Sequence, residues 1–114
     1  MEVPPDRFEE LVADALDELP APLTRAMDNV VVLVDVRHPE EPDLLGVYEG
    51  VALTERYSDY GGVLPDRITL YRLALGDVCE DEDELREEVA VTVVHEIAHH
   101  FGIDEETLHR LGWG

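Results

Sequence analysis

Residues 95–105 read HEIAHHFGIDE, and the organisation of the chain follows from how this stretch folds. His95 and His99 stand four residues apart with Glu96 between them. In an α-helix four residues turn the chain through about 400°, so the two imidazoles leave one face about one turn apart. Two neutral ring nitrogens so spaced can reach one zinc ion at about 2.0–2.1 Å. Glu96 lies on the flank of that face, placed to take a proton from a metal-bound water rather than to bind the metal. Gly102 lets the chain leave the helix, because glycine accepts the left-handed conformation that helix ends commonly need. A turn there can bring Asp104 and Glu105 back toward the histidines. A lone helical histidine is usually structural, and an i, i+4 pair can be accidental. The intervening glutamate, the apolar helix body and the glycine three residues after His99 together fit a metal site.

Upstream, the same helix extends back to about Asp83. Leu85, Val89, Val93, Val94, Ile97, Ala98 and Phe101 fill a broad apolar arc at 100° per residue, leaving a polar strip of Glu88, Thr92, His95, Glu96 and His99. A helix so widely apolar is mostly buried, with its strip turned to a cleft. The acidic run Glu80–Glu84 falls at its start, where negative charge complements the helix dipole. A calcium loop would need a glycine-centred spacing that this run lacks. Downstream, Asp104 can cap a last short helix, Glu105–Leu111, packed through Thr107, Leu108 and Leu111.

The remaining chain supplies a small α+β scaffold. Phe8, Leu11, Val12, Ala15, Leu16 and Leu19 make one stripe of a helix from about Asp6 to Leu19, ended by Pro20 and Pro22. A short helical turn is expected over Pro22–Met27. VVVLVDV, residues 30–36, is β-branched and short, and reads as a central strand buried on both faces. His38, before Pro39, belongs to a loop. Leu44–Leu53 suggests one or two short strands, and TERYSDYGG, residues 54–62, a loop. RITLYRLAL, residues 67–75, alternates in part and suits a strand near a sheet edge.

Composition narrows the function classes. The chain has 114 residues, one cysteine, eight arginines and no lysine, and 28 acids give a net charge of −20. This length is one domain, residues 1–114. The negative field disfavours nucleic acid and anionic membranes. The missing lysine excludes a Walker-type phosphate loop and Schiff-base chemistry. Either the acidity is a solubilising surface, or it attracts cations or basic substrates. Cys79 alone permits neither an internal disulfide nor a cysteine zinc cluster. The acidic N-terminus is unlike a secretory signal, and no apolar run approaches the ~20 residues of a membrane span, so a cytoplasmic protein is expected.

The pattern HExxHxxG followed by acids, closing a small α+β domain, resembles the zincin metallopeptidases. More closely, it resembles the small single-domain bacterial zincin-like proteins, sometimes called mini-zincins. LTER at 53–56, GVLPDRITLYR at 62–72 and HEIAHHFGID at 95–104 carry the likeness, which covers most of the chain. The resemblance implies a minimal zincin-like domain: a small mixed sheet with a substrate-side edge strand, packed on an active-site helix, with an N-terminal helix and a short C-terminal one. It implies Zn2+ held by His95 and His99, with Glu96 as general base. The third ligand is expected ten residues after the first histidine, at Glu105, where the family pattern has aspartate; Asp104 is the alternative. His100 is expected beside the ligands or in the core, and His109 is an outside candidate. A methionine turn is missing, since Met1 and Met27 both lie far upstream. Trp113 is a candidate apolar floor instead, and Tyr71 a candidate oxyanion partner. The strand Arg67–Leu73 could align a peptide by main-chain pairing.

Two functions follow from this reading. One is a zinc-dependent peptidase acting on a peptide or protein substrate. The other is a non-catalytic zincin-like module that binds metal or a protein partner. Retention of Glu96 favours chemistry, because a structural zinc site needs no base beside its ligands.

Overall fold

The computed structural model describes residues 1–50 and 65–113. Helix α1 spans Pro5–Asp17 and α2 Ala21–Ala26; strands β1, Val30–Asp35, and β2, Gly46–Glu49, follow. Strand β3, Asp66–Tyr71, runs straight into α3, Arg72–Asp77; the long α4, Glu82–Phe101, and the short α5, Glu105–Arg110, end the fold. The fold is α+β, with a mixed sheet of order β1-β3-β2 in which β1 is parallel and β2 antiparallel to β3. The expected loop at 54–62 and the stretch 51–53 lie outside the described residues. No helix among the described residues is long and apolar enough to cross a membrane.

α1 forms as its stripe dictates. Pro5 occupies the first helical turn, where a missing N–H is no loss, and Phe8, Leu11, Val12 and Ala15 are buried. They pack with Leu85, Val89, Val93 and Ile97 of α4 and with Ile68 and Leu70 of β3 in one hydrophobic cluster. Arg7 ties the two helices at the rim, donating from Nε and Nη2 to Glu82 Oε1 at 3.1 and 2.8 Å.

Two strand assignments are corrected. β3 is the central strand and not an edge: Val30–Asp35 pairs along its whole length, and Gly46–Glu49 occupies its other side from Leu70 back to Arg67. Its polar–apolar alternation reports that one face is covered, which holds for a middle strand as well as an outer one. With both sides paired, the main chain of Arg67–Leu70 is not open to align an extended peptide. β1, in turn, is not the central strand. Among the described residues it lies outermost, with Val31 38% and Leu33 46% exposed while Val30, Val32 and Val34 pack inward. The expected strand also stops at Tyr71. Arg72, Leu73, Ala74 and Leu75 are good helix formers, and they turn into α3, which buries Ala74 and Leu75.

α4 follows its predicted bounds within a residue. Asp81 caps it, Oδ1 accepting from the Glu84 N–H at 2.8 Å, and Glu82, Asp83 and Glu84 fill the first turn. Gly102, at φ 67°, ends it in the left-handed region. Two positions depart from the expected arc and strip. Phe101 is 47% exposed, and Thr92 is buried at 8%. Thr92 is covered because β2 comes very close: a Cβ on Gly46 would lie 2.9 Å from Thr92 Cγ2 and 3.1 Å from Thr69 O. Glycine at 46 therefore lets the sheet approach α4 one turn before His95 and Glu96.

Candidate metal centre

The inner face of α4 is fully packed, so its outer strip is held by a rigid support. On that strip His95 and His99 are exposed and Glu96 is half-buried. After Gly102 the chain turns back: the Ile103 N–H reaches Ala98 O at 2.9 Å. That turn brings the acids of the α5 start toward the histidines. A cleft of about 560 Å³ is lined by His95, His99, Asp104 and Glu105, over a floor of Ala98, Ile103 and Leu108. Both histidines thus share one cleft with both acids proposed as a third ligand.

Glu96 faces a neighbouring cleft of about 370 Å³, lined also by His95, Thr92, Gly46 and Glu88. His95 borders both clefts. Burial pushes the Glu96 carboxyl above its ordinary range, against the opposing pull of His99 and His95. Such a shift moves a carboxylate toward the neutral range in which general bases work.

The donor types suit zinc: two imidazoles beside carboxylates match the histidine–histidine–acid sets of catalytic zinc sites. As the side chains stand, no three His, Cys, Asp or Glu among the described residues are grouped to hold one ion. Asp104 is committed elsewhere. Its Oδ1 accepts from the Thr107 N–H at 2.8 Å as the cap of α5, and hydrogen bonding to Thr107 holds its pKa below the ordinary range. Glu105, the first residue of α5, lines the same cleft, and a longer side chain gives its carboxylate more reach.

The other sequence candidates lie apart from these clefts. Trp113 lines a separate groove with Glu87, Ala90 and Val91, on the N-terminal half of α4. Tyr71 is buried at the end of β3, its ring edge-on to His38 at 5.5 Å. Burial, then Asp35 and Glu49, push the Tyr71 phenol above its usual value. His38 is a loop residue whose Nδ1 accepts from the Glu40 and Glu41 N–H groups at 3.1 and 2.9 Å. His109 is exposed on α5.

One arrangement escaped sequence reading. The His100 ring stacks on Tyr48 of β2 at 3.9 Å and 16°. The Tyr48 hydroxyl donates to Asp66 Oδ2 at 2.6 Å, and His100 Nε2 lies 3.8 Å from the same oxygen. Asp66, the first residue of β3, is a buried acid at 6% exposure. Its place in the stretch PDRI was the one sequence signal: a carboxylate opening a buried strand needs a partner.

A family model described as zincin-like metallopeptidase matches residues 26–113, and the chain belongs to that family. Among solved structures, a conserved hypothetical protein from Thermus thermophilus is similar at a TM-score of 0.58 and 24% identity, with 87% of this chain and 94% of that one covered. That likeness concerns the fold. No curated protein matches the chain.

Proposed function

We propose that this chain is a zinc-dependent metallopeptidase in which Glu96 is the general base. The observation that carries the reading is the cleft lined together by His95 and His99, one turn apart on a mostly buried helix, and by Asp104 and Glu105. His95 and His99 would hold the ion through neutral ring nitrogens, and Glu105, or Asp104 after releasing its cap, would supply the third donor. When bound, zinc supplies Lewis acidity that polarises a carbonyl and acidifies a water. Glu96 takes the proton of the attacking water at its carboxylate and returns it to the leaving amine. Its partial burial supports this role, because burial raises its proton affinity and so eases the uptake of the proton. The substrate is a peptide or protein, and the net charge of −20 weighs against nucleic acid and anionic membranes as partners.

A second reading has its own support. The capping role of Asp104, which occupies one of the two candidate third ligands, fits a zincin-like module that binds metal or a partner without turnover. Measured zinc content together with peptide cleavage by the wild type and Glu96→Gln separates the two. The peptidase reading expects zinc in both proteins and a loss of about 10²–10⁴ in rate in the variant. Zinc without cleavage supports the module, and absence of both refutes the metal reading. Zinc titration of Glu105→Ala against Asp104→Ala assigns the third ligand, with the larger loss expected for Glu105→Ala.

A further inference from the structure

We infer that Tyr48, Asp66 and His100 form a clamp that positions His99, by fixing the last turn of α4 against the sheet. His99 lies close to the end of that helix. Ala98 is its last buried residue, and His99, His100, Phe101 and Gly102 are all exposed. A terminal turn lacks onward helical partners for its carbonyls and opens more readily than the body of a helix. A ligand must nonetheless be held within about 0.5 Å of its working position. Within α4 the core contacts end at Ala98, and the chain regains the core only at Ile103 and Leu108, so the contacts of His100 and Phe101 are what tie the turn between them to the sheet.

The clamp does so through the residue next to His99. The His100 ring lies flat on Tyr48 at 3.9 Å, and Phe101 meets both rings edge-on at 5.0 and 6.2 Å. Tyr48 is held in turn by the 2.6 Å bond from its hydroxyl to Asp66, a short contact of the charge-assisted kind. The Asp66 backbone is anchored where the sheet begins, its N–H donating to Asn29 O at 3.0 Å. The path therefore runs from β3 through β2 to the backbone that carries His99. Tyr48 and Asp66 are positioning residues, acting on the proposed site through α4.

The claim rests on the metal reading for its purpose but is tested apart from it. Tyr48→Phe removes the hydroxyl and keeps the stack, Tyr48→Leu removes the stack, and Asp66→Asn removes the charge. Leu16→Ala, on α1 and remote from the site, is the control for general destabilisation. Amide exchange on metal-free protein is expected to rise about tenfold or more in residues 99–102 of Tyr48→Leu and Asp66→Asn relative to residues 89–94. Tyr48→Phe is expected to fall between these variants and wild type. Leu16→Ala, compared at equal distance below its own Tm, is expected to leave the ratio unchanged. Zinc affinity, measured by chelator competition, is expected to weaken by about 10- to 100-fold in Tyr48→Leu and Asp66→Asn, and not in Leu16→Ala. The visible spectrum of bound Co2+ is expected to change in the same two variants. Exchange in the last turn that does not differ from the control overturns the clamp. Failure of wild-type protein to take up zinc overturns the metal reading, while the exchange ratio still decides the clamp.

Discussion

The two ends of α4 are held by different physics. At the N-terminal end the cap is local, with Asp81 accepting from the helix and Glu82, Asp83 and Glu84 meeting the dipole, and Arg7 adds one tie from α1, far away in sequence. At the C-terminal end, Gly102 releases the chain, and the turn carrying His99 is braced by residues 48 and 66, distant in sequence. The start of the helix is set mainly by its neighbours along the chain, and its last turn by contacts with the sheet. The proposed chemistry therefore sits on a turn whose order is tertiary, where a change far away in sequence can reach it.

The two ends differ most in how deeply their side chains are packed. Leu85 is fully buried in the first half of α4, and Leu85→Ala is expected to cost about 2–5 kcal/mol by chemical denaturation. Phe101→Ala, at the half-exposed end, is expected to cost below about 1 kcal/mol. Equal costs would show that the two ends are held alike.

Cys79, just before the cap, reports on the N-terminal end without substitution. Burial, reinforced by Glu88 and Glu84, pushes its thiol up to about 11. From an ordinary value of 9.0, the thiolate fraction near neutral pH falls roughly a hundredfold. Alkylation of the native protein is expected to be at least that much slower than in the denatured chain, because the sulfur is also shielded. Rapid native labelling would mean that this end opens.

Asp81→Ala removes the side-chain cap and is expected to cost about 1 kcal/mol by thermal or urea unfolding, with no change in zinc affinity. A coupled loss of zinc would show that the two ends communicate through the helix.

The smallest effect is expected at Arg7. Hydrogen bonding to Arg7 holds the Glu82 pKa below its ordinary range. The folded value is the lower one, so the pair's contribution is present above the unfolded carboxylate pKa and is lost as pH falls through the folded value. Arg7→Gln should therefore lower Tm slightly near neutral pH, and the difference from wild type should vanish on acidification and shrink in salt. A difference that persists in acid would assign the effect to packing of the arginine stem.

How much could be read beforehand follows the same division. The extent of α4, the Asp104 cap of α5 and the paired histidines were legible, because helical periodicity and capping are settled within a few residues. The sheet was less so. Arg67 and Thr69 give β3 an alternation that an edge strand shares, whereas strand order depends on which distant segments pair. The stretch 30–36 reads as buried on both faces because its composition is almost uniformly apolar, yet Val31 and Leu33 stay partly exposed on the outer side of β1. Phe101 completes the apolar arc in projection, but it falls beyond the reach of the core.

Local chemistry alone determined that one long helix would present two imidazoles and a carboxylate on a common strip, since a fixed rotation per residue needs no partner. That β3 lies between two strands, and that Tyr48 and Asp66 hold His100, came from the fold as a whole. Those facts depend on contacts between residues far apart in the chain, whose closure is set by the packing of the whole core and not by any short stretch within it.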